Sequence, residues 1–224
     1  RNIDTRNRYR VINKVHFPAS NPEGAIGYDP INYPKELTTS SNTSDASIFV
    51  RKKFDYYNKP ESPDYYTGIM GLYLKRPDNP HDANKEAIKA AKFTGYPVMH
   101  ERSVSHVYED FDAANMLPFL LKDEKGTHGI SPSDMKAKRD GLSMLQARYS
   151  APKTPEDKDE LIDYPFEDGL RHLDNFDITN TSPFDVTMSE IYVEHGLKQV
   201  IFTNVNEEQL NAVRNIMNEI IPQI

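Results

Sequence analysis

The sequence predicts an α+β protein that combines a small mixed sheet with about four to five helices. Three observations lead to this class. Several segments alternate apolar and polar residues with the period of two that is typical of strands. Four tetrapeptides with the pattern Asn/Ser/Thr-Pro-x-Asp have the chemistry of helix starts. Toward the C-terminus the apolar residues change from helical to strand spacing and back, which predicts a helix-strand-helix unit.

The N-terminal part of the chain predicts an extended arm. Residues 9–17 alternate well enough for one strand, but residues 18–45 contain four prolines, two glycines and a polar run. Such a long irregular stretch is uncommon inside a compact domain. We therefore predict a basic, Pro-rich arm over 1–47, followed by a single α+β domain over 48–224.

Three further strands are predicted in the first half of the domain. Residues 48–57 and 65–74 are apolar segments on either side of a Pro-rich turn. Their length and their turn flanks favour buried strands over helices. Residues 96–108 alternate apolar and polar side chains, which predicts a strand that carries His100 and His106 on the same face.

The helix starts share one capping chemistry. In Asn79-Pro80-His81-Asp82 the Asn side chain can accept from a free backbone N–H, and Pro loses no hydrogen bond at the first helical position. The Asp meets the positive end of the helix dipole. The same pattern recurs at 131–134, 154–157 and 182–185, and this irregular spacing excludes a structural repeat.

These signals predict four helices, near 80–93, 132–149, 155–162 and 183–195. Glycines that follow the apolar pattern, Gly95 and Gly196, are expected to end the first and the last of them. After Gly196 the apolar pattern predicts a buried strand over 198–205. Asn206 is then expected to cap a final helix.

Composition excludes several classes of function. With no cysteine the chain has neither disulfides nor thiolate metal sites. The net charge of −7 argues against a general nucleic-acid binder, which needs clustered Lys and Arg. An uninterrupted apolar run of about 18 residues, as a membrane span requires, does not occur. We expect other protein subunits as partners, no cofactor, and an N-terminal arm able to contact an acidic partner or lipid headgroups.

An aromatic and basic set of residues is predicted to form an interface. Tyr side chains cover a large apolar area while they keep a polar tip, and for this reason they are common at binding surfaces. The Tyr residues cluster between 56 and 73, and the Arg residues lie near the N-terminus. The predicted interface residues are Tyr56, Tyr57, Tyr65, Tyr66, Tyr73, Arg6, Arg8 and Arg10.

One segment predicts a metal or acid–base site. On a helix, Asp168 and His172 would face the same way, and Asp177 could add a further oxygen ligand. Gly169 and the Asn/Asp content favour a loop, however, in which the acidic residues are simply hydrated. The doublet His81-Asp82 is found in metal phosphohydrolases, but its partner residues are missing here and a capped first turn already explains the Asp.

Catalytic motifs are absent from the sequence, so the hypothesis is a non-catalytic structural or accessory subunit of a larger multiprotein assembly, of an organellar or virion type. A metal-assisted hydrolase built on Asp168, His172 and Asp177 is the alternative. An anchored extracellular binding domain is the second alternative. The chain begins with Arg1, which predicts a processed N-terminus and an organellar, for example mitochondrial, location.

Overall fold

The computed structural model describes residues 10–11, 24–31, 44–52, 68–150 and 164–202. These residues form five strands, five α-helices and one 3-10 turn, which confirms the α+β class with a mixed sheet. The elements are β1 Arg10–Val11, β2 Gly24–Asp29, β3 Ala46–Lys52, β4 Ile69–Lys75, α1 Pro80–Thr94, β5 Val98–His100, α2 Ser105–Ala113, the 3-10 turn Leu117–Phe119, α3 Met135–Tyr149, α4 Glu167–Asp174 and α5 Asp185–Phe202.

The sheet has the strand order β1-β4-β3-β2-β5. Strand β2 pairs antiparallel with β3 and parallel with β5, and β4 pairs antiparallel with both β3 and β1. Strands β2 and β3 are buried along nearly their whole length. Both faces of these two strands contribute side chains to core clusters, which accounts for their burial.

Helix α5 covers one face of the sheet. It crosses β2 at the position of Gly27, where an added Cβ would lie 1.8 Å from the backbone oxygen of Ser189. Only a glycine allows the two backbones to approach so closely. Alternate residues of β3 point to the same helix, and the buried hydroxyls of Ser47 and Ser189 lie 2.8 Å apart. Helices α3 and α4 both pack against α5.

Helices α1 and α2 cover the opposite face. Their small and apolar side chains form one core cluster with residues of β2, β3 and β4. Helix α1 buries an Ala-rich face through Ala83, Ala87, Ala90 and Ala91. The helix–sheet–helix arrangement follows from the need of each element to bury its apolar side.

The predicted start and end of α1 are confirmed. The Asn79 side chain accepts a hydrogen bond from the backbone N–H of His81 at 3.0 Å, and Pro80 is the first helical residue. Gly95 ends the helix with a φ of 72°, a left-handed conformation that costs glycine little.

The second and fourth signals mark turns that precede their helices. Helix α3 begins at Met135, since Ser131 to Asp134 form a turn, and the Asp134 side chain then caps Ala137 N–H at 2.9 Å. Helix α5 likewise begins at Asp185, after a turn closed by Phe184 N–H on Thr181. The predicted helix at 155–162 lies outside the described residues.

The predicted C-terminal strand is wrong over its described part. Helix α5 continues through Gly196 to Phe202, so Gly196 does not end it and residues 198–202 are helical. The physical reason is a packing contact. A Cβ at Gly196 would lie 2.9 Å from the Cβ of Ala25 in β2, so this glycine permits close contact between helix and strand. Residues 203–224, including the helix expected after Asn206, lie outside the described residues.

Two further predictions need correction. The strand predicted over 96–108 is strand β5 only to His100, and the chain then turns into α2, which places His106 on a helix. Residues 24–31, which lie inside the predicted arm, form β2 and the two residues after it, and β2 pairs with strands on both sides. These residues therefore belong to the sheet; most of the remaining arm lies outside the described residues.

Candidate functional site

The predicted interface residues are only partly described. Tyr73 lies in β4 and is buried, with 4% of its surface exposed, so it belongs to the core and cannot serve as an exposed anchor. Arg10 lies in β1 at the edge of the sheet. The remaining predicted interface residues, Tyr56, Tyr57, Tyr65, Tyr66, Arg6 and Arg8, lie outside the described residues.

The three predicted metal ligands have separate contacts. Asp168 is 3.7 Å from the Arg171 guanidinium, and His172 Nδ1 accepts a hydrogen bond from Val186 N–H at 3.3 Å. Asp177 accepts from the backbone and the hydroxyl of Thr179 at 2.8 and 2.7 Å. Within the described ranges no three His, Asp or Glu residues are placed to share a metal ion.

The segment around Asp168 is helical, and the loop favoured by its composition is a wrong prediction. Gly169 is buried in α4 because the Tyr164 ring lies against it; an added Cβ would meet the Tyr164 hydroxyl oxygen at 2.1 Å. A contact with a residue five positions earlier thus outweighs the low helix propensity of glycine.

A buried ionic network joins the sheet to α5. Arg51 in β3 is completely buried, and its guanidinium donates to Glu194, to Glu190 at 3.2 Å and to the Tyr149 hydroxyl. Tyr149 and Tyr164 also donate to Glu190. Arg148 binds both oxygens of Glu194 at 2.6 and 2.8 Å. Two arginines therefore face two glutamates, and every carboxylate oxygen has a donor.

The network sets the charge of its members. Burial alone would lower the pKa of Arg51, but Tyr149 and the two glutamates outweigh burial and raise it. Burial would raise the pKa of Glu194, yet Arg51 and Arg148 hold it below its usual value. For Glu190 burial prevails and the pKa is raised. The positive and negative charges of the network neutralise one another inside the protein. The network therefore joins α5 to the sheet.

A second cluster of charged groups lies where β2 ends. Asp29, the last residue of β2, is only 8% exposed. Burial raises its pKa, as do the nearby charges of Asp185 and Glu101, while Lys138 opposes them. Asp185, the first residue of α5, accepts from Asp45 N–H at 2.8 Å, and burial raises the pKa of Asp185 to about 7.

This cluster predicts a dependence of stability on pH. Asp185 has a higher pKa in the folded than in the unfolded chain, so unfolding releases a proton between the two values and stability falls as pH rises from about 4 to about 7. The expected loss from this group between pH 5 and pH 8 is about 2 to 3 kcal/mol. Urea titrations of the protein and of Asp185→Asn at both pH values measure it.

The Asp185→Asn variant should be more stable than the unmodified protein at pH 8, because its amide oxygen can still accept from Asp45 N–H without a charge. Asp174→Asn, a change at an exposed position of α4, is the matched control and should leave the pH dependence unaltered. An equal pH dependence of Asp185→Asn and the unmodified protein would contradict the assignment.

A histidine pair occupies the surface where α1 and α2 begin. His81 Nδ1 lies 2.8 and 2.9 Å from the two carboxylate oxygens of Asp110. The ring of His106 lies 5.3 Å from the ring of His81, and its Nε2 is 3.3 Å from the backbone oxygen of Ile31. His81 is half exposed, with 48% of its side chain accessible. The pair is therefore open to solvent on one side.

Buried residues hold Asp110 in place below this pair. Tyr28 in the sheet donates to the Asn84 side chain at 2.6 Å, and the Asn84 amide donates to Asp110 Oδ2 at 2.6 Å. Tyr28 and Asn84 are both fully buried. A hydrogen-bonded chain thus leads from the core of the sheet through Asp110 to an exposed imidazole, and it fixes the orientation of that imidazole.

Sequence reasoning missed this arrangement. The doublet His81-Asp82 suggests a local pair, but Asp82 binds Lys85 at 2.8 Å and the partner of His81 is Asp110, which comes from the next helix. The strand predicted over 96–108 includes His106, which lies on α2. A helix predicted over 105–113 would have indicated part of this arrangement, because His106 and Asp110, four residues apart, would then lie on one face of the helix.

Comparisons with known proteins add no family: no protein-family model matches the chain, and no curated protein is significantly similar to it. None of the described helices is long and apolar enough to cross a membrane.

Proposed function

We propose that this protein is a non-catalytic structural or accessory subunit of a larger multiprotein assembly and acts through contacts with other proteins. The observation that carries the proposal is the connection between β3 and β4, residues 53–67. Its two ends are held together, since Lys52 N–H donates to the Gly68 oxygen at 2.7 Å. A hairpin needs only about two to five residues to join such strands, so this connection is far longer than the sheet requires.

The composition of the connection supports a binding role. Four of the predicted interface residues, Tyr56, Tyr57, Tyr65 and Tyr66, belong to it. Binding residues are found disproportionately on loops that a rigid scaffold positions. Strands β3 and β4, which flank these tyrosines in the sequence, are hydrogen-bonded neighbours in the sheet. A partner protein could bury several phenol rings there at once.

The charged groups of the described core also support a scaffold. The ionic network around Arg51 is buried, and its ion pairs connect α5 to the sheet. These charged groups therefore have a structural role. The hydrolase alternative gains no support, because Asp168, His172 and Asp177 make separate contacts. The basic residues Arg6 and Arg8 precede the edge strand β1 and suit an acidic partner surface.

The test is the size of the complex in which the chain occurs in its native cells. A tagged full-length chain is expected to migrate on native gels in a complex much larger than a monomer. Replacement of the four tyrosines of 53–67 by Ser should release it from that complex, because the apolar contact area is lost. Tyr108→Ser, which changes an exposed tyrosine on α2, is the matched control and should have no effect.

A chain that migrates as a monomer in its native cells would contradict the proposal. So would a complex that survives the fourfold Ser substitution, or one that is lost with Tyr108→Ser. Circular dichroism of each variant shows whether the fold is retained, so that a loss of folding is not mistaken for a loss of contact.

A further inference from the structure

The histidine pair has the geometry of a ligand pair. His81 and His106 lie in the first turns of α1 and α2, and their ring centroids are 5.3 Å apart with an angle of 51° between the ring planes. Rings at this separation are close enough for one nitrogen of each to reach a common ion. The two helices come from sequence positions 25 residues apart, so only the packing of α1 on α2 creates the pair.

The hydrogen bonds determine which nitrogen of each ring is free. An ionised carboxylate only accepts hydrogen bonds, so His81 Nδ1, which faces the two oxygens of Asp110, carries the proton. A backbone carbonyl also only accepts, so His106 Nε2, which faces Ile31, is protonated as well. In the neutral rings the lone pairs therefore remain on His81 Nε2 and His106 Nδ1.

We propose that His81 Nε2 and His106 Nδ1 bind a transition-metal ion of the Zn²⁺, Ni²⁺ or Cu²⁺ type, with water completing its coordination. Imidazole nitrogen is a preferred ligand of these ions. Metal-binding histidines almost always donate their second ring N–H to a carboxylate, a backbone carbonyl or water, which fixes the tautomer and the ring orientation. The pair has both kinds of protein acceptor: a carboxylate below His81 and a carbonyl beside His106.

The support beneath the pair is preorganised. Asp110 is held by the Asn84 amide at 2.6 Å, and Asn84 is held by the Tyr28 hydroxyl at 2.6 Å. Asn84 also donates to the backbone oxygen of His106 at 3.4 Å, so one buried side chain contacts both Asp110 and the backbone that carries the second imidazole. A site whose outer groups are already ordered loses less entropy when it binds its ligand.

The ligand set selects among metals. In the described part of the chain no third His, Asp or Glu is placed to join the ion, and Asp82 is bound to Lys85. Two nitrogens with water suit borderline ions, whereas Ca²⁺ and Mg²⁺ require oxygen ligands. Copper(II) is expected to bind more tightly than Ni²⁺ or Zn²⁺, and Mn²⁺ most weakly, following the general order of affinity for nitrogen sites.

Calorimetric titration of the full chain, without a histidine tag, at neutral pH tests the proposal. One equivalent of Zn²⁺, Ni²⁺ or Cu²⁺ should bind, and Mg²⁺ and Ca²⁺ should not. His81→Phe and His106→Phe keep a ring at each position but remove the nitrogen ligand, so each should abolish this binding or weaken it by more than about 100-fold. Asp110→Asn should weaken it by about 10- to 100-fold through the orientation of His81.

His128→Phe is the matched control. His128 also contacts a backbone carbonyl, Leu120, through Nδ1, and its ring lies 5.4 Å from the ring of Tyr108, but it does not belong to the His81–His106 pair. This variant should bind metal like the unmodified protein. Electron paramagnetic resonance of the protein at saturating Cu²⁺ should show two imidazole nitrogens bound to the ion. In His81→Ala, which keeps only the imidazole of His106, it should show one.

Absence of binding for all three ions would overturn the proposal and leave the pair as a ring contact between α1 and α2. Binding that survives in the His81→Phe/His106→Phe double variant would overturn it too, because the ion would then lie elsewhere. The proposal does not depend on the function as an accessory subunit, and the native-gel experiment tests that function separately.

Discussion

Replacement of Arg51 by Met should lower the free energy of unfolding by about 3 to 5 kcal/mol, the usual cost of removing one partner from a buried ion pair. The variant leaves Glu190 and Glu194 inside the protein without the guanidinium that lies between them. Glu190 loses more of its charge compensation than Glu194 does. The remaining donors to Glu190 are two neutral phenols, whereas Glu194 keeps the guanidinium of Arg148. Urea unfolding followed by circular dichroism measures the loss.

A second substitution separates charge from packing. In Arg51→Met/Glu190→Gln the uncompensated carboxylate is replaced by a neutral amide, so the double variant should be less destabilised than the sum of its single changes. Arg139→Met, an exposed arginine on α3, controls for the loss of a positive charge and should change stability by less than about 0.5 kcal/mol. Equal stability of Arg51→Met and Arg139→Met would contradict the described network.

Replacement of Gly27 by Ala should prevent folding or cost more than about 3 kcal/mol, at or beyond the upper end of the usual cost of overpacking a core. The new Cβ would lie 1.8 Å from the backbone oxygen of Ser189 and 2.6 Å from the backbone nitrogen of Val193. These atoms belong to α5 and cannot move as a side chain does. Relief would require the whole helix to shift away from β2.

The control for Gly27 is Gly126→Ala. Gly126 has a left-handed φ of 79° but no atom within 4 Å of an added Cβ. The free energy of unfolding of this variant should fall only by the conformational cost of Ala in the left-handed region, about 1 to 2 kcal/mol. Thermal unfolding of both variants makes the comparison. If Gly27→Ala melts at the same temperature as Gly126→Ala, α5 does not lie on β2 as described.

Local chemistry could be predicted where neighbouring residues supply it. The start and the end of α1 follow from Asn79, Pro80 and Gly95, which act within their own turns. The apolar runs of β3 and β4 were predicted as strands for the same reason. Helix α5 was predicted to stop at Gly196, because nothing in its local sequence reveals that Ala25 lies against that glycine.

The candidate sites could not be predicted, because each of them joins distant segments. His81 was compared only with its neighbour Asp82, while its partner Asp110 is 29 positions away. Arg51 reads as an ordinary charged residue at the end of a strand, and the glutamates that neutralise it are about 140 residues further along. Polar residues at such positions are usually exposed, so sequence alone would assign Arg51 to solvent.

The sequence by itself determined the α+β class, the positions of several strands and the caps of the first helix, because these depend on spacing and on contacts within one turn. The tertiary structure alone decided that residues 24–29 are a central strand, that residues 198–202 are helical, and that His81 meets His106. The physical reason is that burial and backbone approach depend on partners remote in sequence. Their packing energy exceeds the local preferences of single residues.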